Sequence, residues 1–331
     1  MELTTVWFVL IAVLWTGYFV LEGFDFGVGI LLPLLGRDEA DRRTVLATIG
    51  PVWDGNEVWL LVAGGATFAA FPEWYATLFS GFYLPLFLIL VALILRGVAI
   101  EYRNKSESSR GWDRTLFIGS LLPAFLWGVA FANIVRGVPL DADHEYTGTL
   151  LTLLNPYALL GGLATLSLFV LHGALFLTLR TDGDLRARSA VMAKRLAVVT
   201  LVVGGAFLAI TQLIGGRPAT WASAALAAAG IAGALLATLR GRDGWAFTAN
   251  AVAVIAITVT LFGNLWPDVM PALDPANSLN VDNASSSPYT LTVMTWVAVI
   301  FTPLVLAYQG WTYWVFRRRL TRTDHGGAHA V

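Results

Sequence analysis

Four carboxylates and one guanidinium sit in stretches of sequence that are otherwise apolar. Of the 22 Asp and Glu residues, Glu22, Asp25, Asp54 and Glu57 fall inside long hydrophobic runs, and Arg96 is their one basic counterpart there. An ionisable side chain within a membrane span costs a few kcal/mol or more, so such residues are sorted first as candidates for chemistry. Glu22 and Asp25 are three positions apart, as are Asp54 and Glu57, and residues three apart on a helix share a face. Three helices would then bring carboxylates and a guanidinium to similar depth. Such a group can stay ionised by pairing, or can exchange protons along a hydrated path. The plain alternative is mechanical: buried polar pairs also pin helices together.

Other chemistries find little material. The chain has no cysteine, which excludes disulfides, thiolate metal sites, Fe–S clusters and thiol nucleophiles. Of its four histidines, His172 lies in an apolar run, while His144, His325 and His329 fall in loops or the tail and are expected to be solvated. One intramembrane histidine without a second ligand is a poor haem or metal site, so no metal is expected. The 13 tryptophans read first as interface-belt and packing residues.

The elements that must position these side chains follow from composition. The chain has 331 residues, 57% hydrophobic and 13% charged, with a mean hydropathy of +0.69. Soluble domains carry about 25% charged residues, so this is a chain for lipid. Nine apolar segments appear, covering roughly 6–33, 45–70, 76–100, 115–135, 156–179, 196–214, 221–239, 245–266 and 289–316. Each can cross about 30 Å of hydrocarbon as a helix. The first lacks the basic start of a signal peptide and is read as a retained span. Eighteen of the 21 Lys and Arg fall in the segments on one side of this alternation. The positive-inside rule assigns that side to the cytoplasm, with the N-terminus outside and the C-terminus inside. Residues 1–320 read as one all-α polytopic membrane domain, and 321–331 as a disordered cytoplasmic tail. The long loops 136–155 and 267–288 read as solvated connections.

The motifs carry a resemblance as well. GFDFGVG at 23–29, GPVWDGNEVWL at 50–60, GGATFAAFPEWYA at 64–76 and SGFY at 80–83 resemble subunit II of the cytochrome bd-type quinol oxidases. LRGVAIEYRNK at 95–105, GVAFANIVRGVP at 128–139, LLNPYALLGG at 153–162 and LTVMTWVAV at 291–299 continue it in order, over nearly the whole chain. The resemblance implies nine transmembrane helices arranged as two four-helix bundles plus one peripheral helix, in a bacterial cytoplasmic membrane. It implies a complex that oxidises quinol, reduces dioxygen to water and draws its protons from the cytoplasm. Haems b and d would belong to a partner, subunit I, and this chain would bind none; small single-helix accessory subunits are further partners in the family, and nucleic acid is not. By the same resemblance Asp25, Asp54 and Arg96 line a cytoplasmic proton path, joined by Glu22. Glu57 is added from its place in the apolar run alone, where it either points at a polar pocket or bonds a neighbouring helix. Some relatives hold a quinone in this subunit near the WDG run, where Trp53 is the matching residue.

Two rival readings use the same residues. A secondary transporter would use the carboxylates as coupling sites, but such proteins favour paired repeats and midplane sites, and no repeat is evident. A purely structural oxidase subunit would use them as assembly contacts.

Overall fold

The computed structural model describes residues 2–106 and 108–321, and they are almost wholly helical. In chain order the helices are α1 (Leu3–Leu35), α2 (Glu39–Ile49), α3 (Trp53–Ala70), α4 (Pro72–Gly81), α5 (Tyr83–Tyr102), α6 (Arg110–Arg136), α7 (Leu150–Leu153), α8 (Pro156–Arg180), α9 (Gly183–Gly215), α10 (Pro218–Leu239), α11 (Asp243–Leu265) and α12 (Pro288–Val315). Eight of them are long and apolar enough to cross a membrane: α1, α5, α6, α8, α9, α10, α11 and α12. The expected tail lies, from residue 322 onward, outside the described residues, and with it His325 and His329.

Proline decides where the expected segments differ from the helices found. The run 45–70 is two helices, because Pro51 has no N–H to continue the ladder and its ring crowds the preceding turn. The run 76–100 is also divided, at Phe82, where Pro85 cannot donate to the Gly81 carbonyl. Prolines also open α4, α8, α10 and α12 in the first turn, where a missing N–H costs nothing. Conversely α9 starts at Gly183, well before the hydrophobic run at 196, because hydropathy registers the apolar part of a helix and misses its charged extension.

The loops gather at two opposite ends. At the basic end, Arg103 donates to Asp113 (2.5 Å) and Glu39 (3.0 and 3.1 Å), and Arg42 reaches the other oxygen of Asp113 (3.1 Å). Arg188 binds Asp41 (2.7 Å), and Asp243 accepts from Arg186 (2.7 Å) and Arg319 (3.0 Å). Glu39, Asp41, Asp113 and Asp243 all lie in the first turn of a helix, where a carboxylate also meets the positive end of the helix dipole. The loops of the other end form a packed cap, which corrects the expectation of solvated connections. Asp268–Met270 pairs antiparallel with Leu279–Asn280, Val138 bridges to Ala272, and Val269, Met270 and Leu279 are fully buried. His144 is half-buried there, with Nδ1 at 2.9 Å from the Asn277 carbonyl oxygen.

At the centre lies α1, packed against α3, α6, α8 and α11. Its stretch Glu22–Leu32 is buried on every side. Close packing with α8 depends on Gly27 and Gly173: a Cβ on Gly27 would lie 2.1 Å from the Phe169 carbonyl oxygen. Gly27 and Gly173 thus let two backbones approach, while Gly23, one turn earlier, leaves room for the Phe169 ring. By contrast α12 is a thin attachment, with Leu291 its one fully buried residue and most of its large apolar side chains exposed.

Candidate functional site

The buried charges of α1, α3 and α5 meet in the part of the bundle nearer the basic end. Arg96 of α5 and Glu22 of α1 are both fully buried and directly paired, Nη1 to Oε1. The same Nη1 lies 3.6 Å from Glu57 Oε2 on α3, a side chain 24% exposed. The guanidinium carbon sits 4.9 Å from the centre of the Phe26 ring, a cation–π arrangement. Gly119 of α6 makes room for this: a Cβ there would approach Arg96 Cβ to 2.9 Å. Beyond these contacts, Arg96 Nε and Nη2, Glu22 Oε2 and Ser120 Oγ are buried without a hydrogen-bond partner among the described residues. Buried polar groups are normally satisfied, so four such atoms on neighbouring helices mark a polar interior suited to water.

Asp25 is turned another way. Three residues along a helix leave about 60° between side chains, and Asp25 faces α3 and α12, while Glu22 faces α5. Its Oδ2 accepts from Asn56 Nδ2 at 2.7 Å, and its Oδ1 is buried and unpartnered among the described residues. Asn56 in turn accepts from Tyr313 (2.7 Å) and Gln309 (3.3 Å) of α12, and Gln309 accepts from Trp59 Nε1 (2.7 Å).

Not every expected residue joins this centre. Asp54 is exposed on the outer face of α3, though near enough to Glu57 to interact with it through space. Arg96 has Glu22 as its direct partner, with Glu57 next. Sharing a helix face does not single out a partner here, since α1 is enclosed over Glu22–Leu32 and packs against α3, α6, α8 and α11. Trp53 is half-buried, its ring 3.2 Å from where a Cβ on Gly97 would stand. His172 of α8 has both ring nitrogens engaged: Nε2 faces the Val20 carbonyl at 3.1 Å and Asn250 donates to Nδ1 at 3.1 Å. Stacked on Phe247 at 4.5 Å, it does not fit the role of an axial haem ligand.

Toward the capped end the interior turns apolar. A cavity of about 440 Å3 opens between α1, α3, α4, α5 and α6, lined by aromatic rings including Trp15, Trp74, Phe79 and Trp127. Trp53 is not among its lining residues.

The family model for cytochrome bd terminal oxidase subunit II matches residues 3–316. The chain belongs to this family. Similar relatives include subunit 2 of the cytochrome bd ubiquinol oxidase of Bacillus subtilis, 42% identical over 98% of both chains. Subunit 2 of the cytochrome bd-I ubiquinol oxidase of Escherichia coli K12 is 38% identical over 96% of this chain and 95% of its own. Among solved structures, a chain of the bd oxidase of Geobacillus thermodenitrificans superposes with a TM-score of 0.80, covering 96% of this chain and 99% of its own at 16% identity, a likeness of fold. Within this subunit II fold, sequence reasoning found the charges and missed the neutral groups around Asp25. Asn56 was visible inside the WDGN run, but Gln309 and Tyr313 lie some 250 residues away, and nothing local links them to it.

Proposed function

We propose that the chain is the haem-free subunit II of a cytochrome bd-type terminal oxidase, holding a haem-bearing subunit I and carrying part of the route by which protons reach it. The complex would oxidise quinol and reduce dioxygen to water in a bacterial cytoplasmic membrane. The observation that carries the proton-path reading is the fully buried set Glu22, Asp25 and Arg96, each with polar atoms unpartnered among the described residues. A pure fastener would satisfy its atoms; a relay needs acceptors and donors open to water. In this reading Glu57 is the half-exposed entrance and Arg96 holds Glu22 in place. Asp25 takes and releases protons, and Asp54, facing outward from α3, hands them to the partner.

The membrane arrangement we propose has nine crossings. The eighteen-residue α3 would be the ninth, since it starts beside the basic end and its last carbonyl, at Ala70, accepts from Ser286 of the capped end. The helices would form one bundle of α1, α3, α5 and α6 and a second of α8 to α11, with α12 peripheral and the basic end in the cytoplasm. A quinone carried by this chain would occupy the aromatic cavity, whose apolar lining suits an isoprenoid tail. Trp53, resting on Gly97 outside that lining, is the weaker candidate for this contact.

The test is Asp25→Asn in the purified two-subunit complex. At normal haem content, oxygen consumption per haem should fall at least tenfold, with proton uptake falling in step. Unchanged turnover would remove Asp25 from the path. The structural reading, which the direct Arg96–Glu22 pair favours, makes a different forecast: less complex assembled, with full turnover in what remains. Family membership leaves the transporter reading without support.

A further inference from the structure

The neutral side chains beside Asp25 form a sequence of hydrogen bonds with a fixed direction. Trp59 Nε1 donates to Gln309 Oε1 at 2.7 Å, Gln309 Nε2 donates to Asn56 Oδ1 at 3.3 Å, and Asn56 Nδ2 donates to Asp25 Oδ2 at 2.7 Å. An amide presents a donor on one side and an acceptor on the other, so a chain of amides can in principle run either way. An indole cannot, since its N–H is a donor only. Trp59 thus fixes Gln309, Gln309 fixes Asn56, and Asn56 must turn its N–H toward the carboxylate. Tyr313 adds its hydroxyl to the same Asn56 oxygen at 2.7 Å.

The backbone is built for this arrangement. Asn56 and Trp59 are one turn apart on α3, and Gln309 and Tyr313 one turn apart on α12, so each pair lies along one side of its helix. Trp59 can lie close against α1 because residue 17 is glycine: a Cβ there would stand 2.1 Å from the indole ring. Among the charged and titratable groups, Glu22 of α1, Glu57 of α3, Arg96 of α5 and Tyr313 of α12 all act on this neighbourhood through space.

We propose that Trp59, Gln309 and Asn56 are positioning residues that hold Asp25 by one oxygen and reserve the other, Oδ1, as the atom that exchanges a proton. Held as an acceptor at Oδ2, the carboxylate offers Oδ1, buried and without a hydrogen-bond partner among the described residues, to an incoming proton. The proton arrives there by forming one O–H bond and leaves from the same oxygen; no electrons move in this chain. The amides do not conduct, because passing a proton through them would require them to tautomerise. They set the geometry at Asp25 from a helix that otherwise touches the bundle lightly. The proposal rests on the reading of Asp25 as a proton-exchanging group.

The experiment uses the intact oxidase carrying Trp59→Phe, Gln309→Met, or Asp25→Asn, each normalised to haem content. The measurements are oxygen turnover, KM for quinol, the solvent isotope effect and the infrared carboxyl band of Asp25. Trp59→Phe and Gln309→Met should each lower turnover by about three- to tenfold, the scale of one neutral hydrogen bond. KM should stay put, the isotope effect should rise, and the carboxyl band should shift or broaden as Asn56 loses its fixed orientation toward Oδ2. If Asp25→Asn slows the enzyme while both ladder variants keep wild-type turnover, isotope effect and carboxyl band, the ladder is wrong and the proton path stands. If the ladder variants reduce only the yield of complex, α12 is fastened here and nothing more, and the inference fails. If Asp25→Asn itself turns over normally, the underlying reading falls, and this inference with it.

Discussion

At the scale of single residues, the Arg96–Glu22 pair is the most consequential contact in the molecule. Both partners are fully buried, so removing one leaves an uncompensated charge, an error of about 3–5 kcal/mol in comparable buried pairs. Arg96→Leu should therefore sharply reduce the amount of assembled complex, read from haem recovered per milligram of membrane. The double variant Arg96→Leu/Glu22→Leu should recover much of that loss, because the stranded carboxylate is gone with its partner. If the double variant is no better than the single one, the pair is not what Arg96 is there for. The four carboxylates and the arginine were legible in sequence, since charge in an apolar run is conspicuous. Their pairing was not: Asp54 and Glu57 share a spacing, yet one is exposed and the other reaches Arg96.

At the scale of elements, the packing of α1 on α8 turns on two glycines. A Cβ at Gly27 would meet a main-chain carbonyl at 2.1 Å and the Gly173 backbone at 2.8 Å, and a backbone cannot swing aside as a side chain can. Gly27→Val is expected to prevent assembly or lower the melting temperature of the complex by many degrees. A substitution at Gly205, with open space around it, should not. The second element with a measurable signature is α2, whose Glu39 is tied to Arg103 and Arg43. Burial works to raise the Glu39 carboxyl, but the hydrogen bonds from both arginines outweigh it and hold it below its ordinary value. A depressed carboxylate contributes its stability above the unfolded value of about 4.3 and loses it as pH falls through the lower folded value. Thermal melts of the complex below that pH should thus decline more steeply for the wild type than for Glu39→Gln. The difference should shrink in high salt, because the side chain is 43% exposed and its pairing is screened.

At the scale of the whole molecule, the claim to test is orientation. The natural absence of cysteine permits single-cysteine variants without background. Ala276→Cys and Asn283→Cys, in the capped end, should react with a membrane-impermeant maleimide added to intact cells. Ala40→Cys and Ser108→Cys, at the basic end, should react only after the membrane is opened. The reverse pattern would invert the topology. The ion-pair belt at the basic end already shows why the charge asymmetry is consistent along the chain: segments near residues 40, 104, 186, 243 and 319 meet and neutralise one another there.

The sequence by itself determined that the chain is helical, belongs in lipid and carries a small set of buried charges, because hydropathy and charge are local properties that a short window reads directly. Its motifs likewise pointed to the oxidase family that the comparisons then bore out. Tertiary structure alone decided which carboxylate faces the arginine and how α12 reaches across to hold Asn56. Those outcomes depend on rotations of about 60° around a helix and on contacts between residues some 250 positions apart, and neither leaves a trace in any stretch of sequence short enough to read as a pattern.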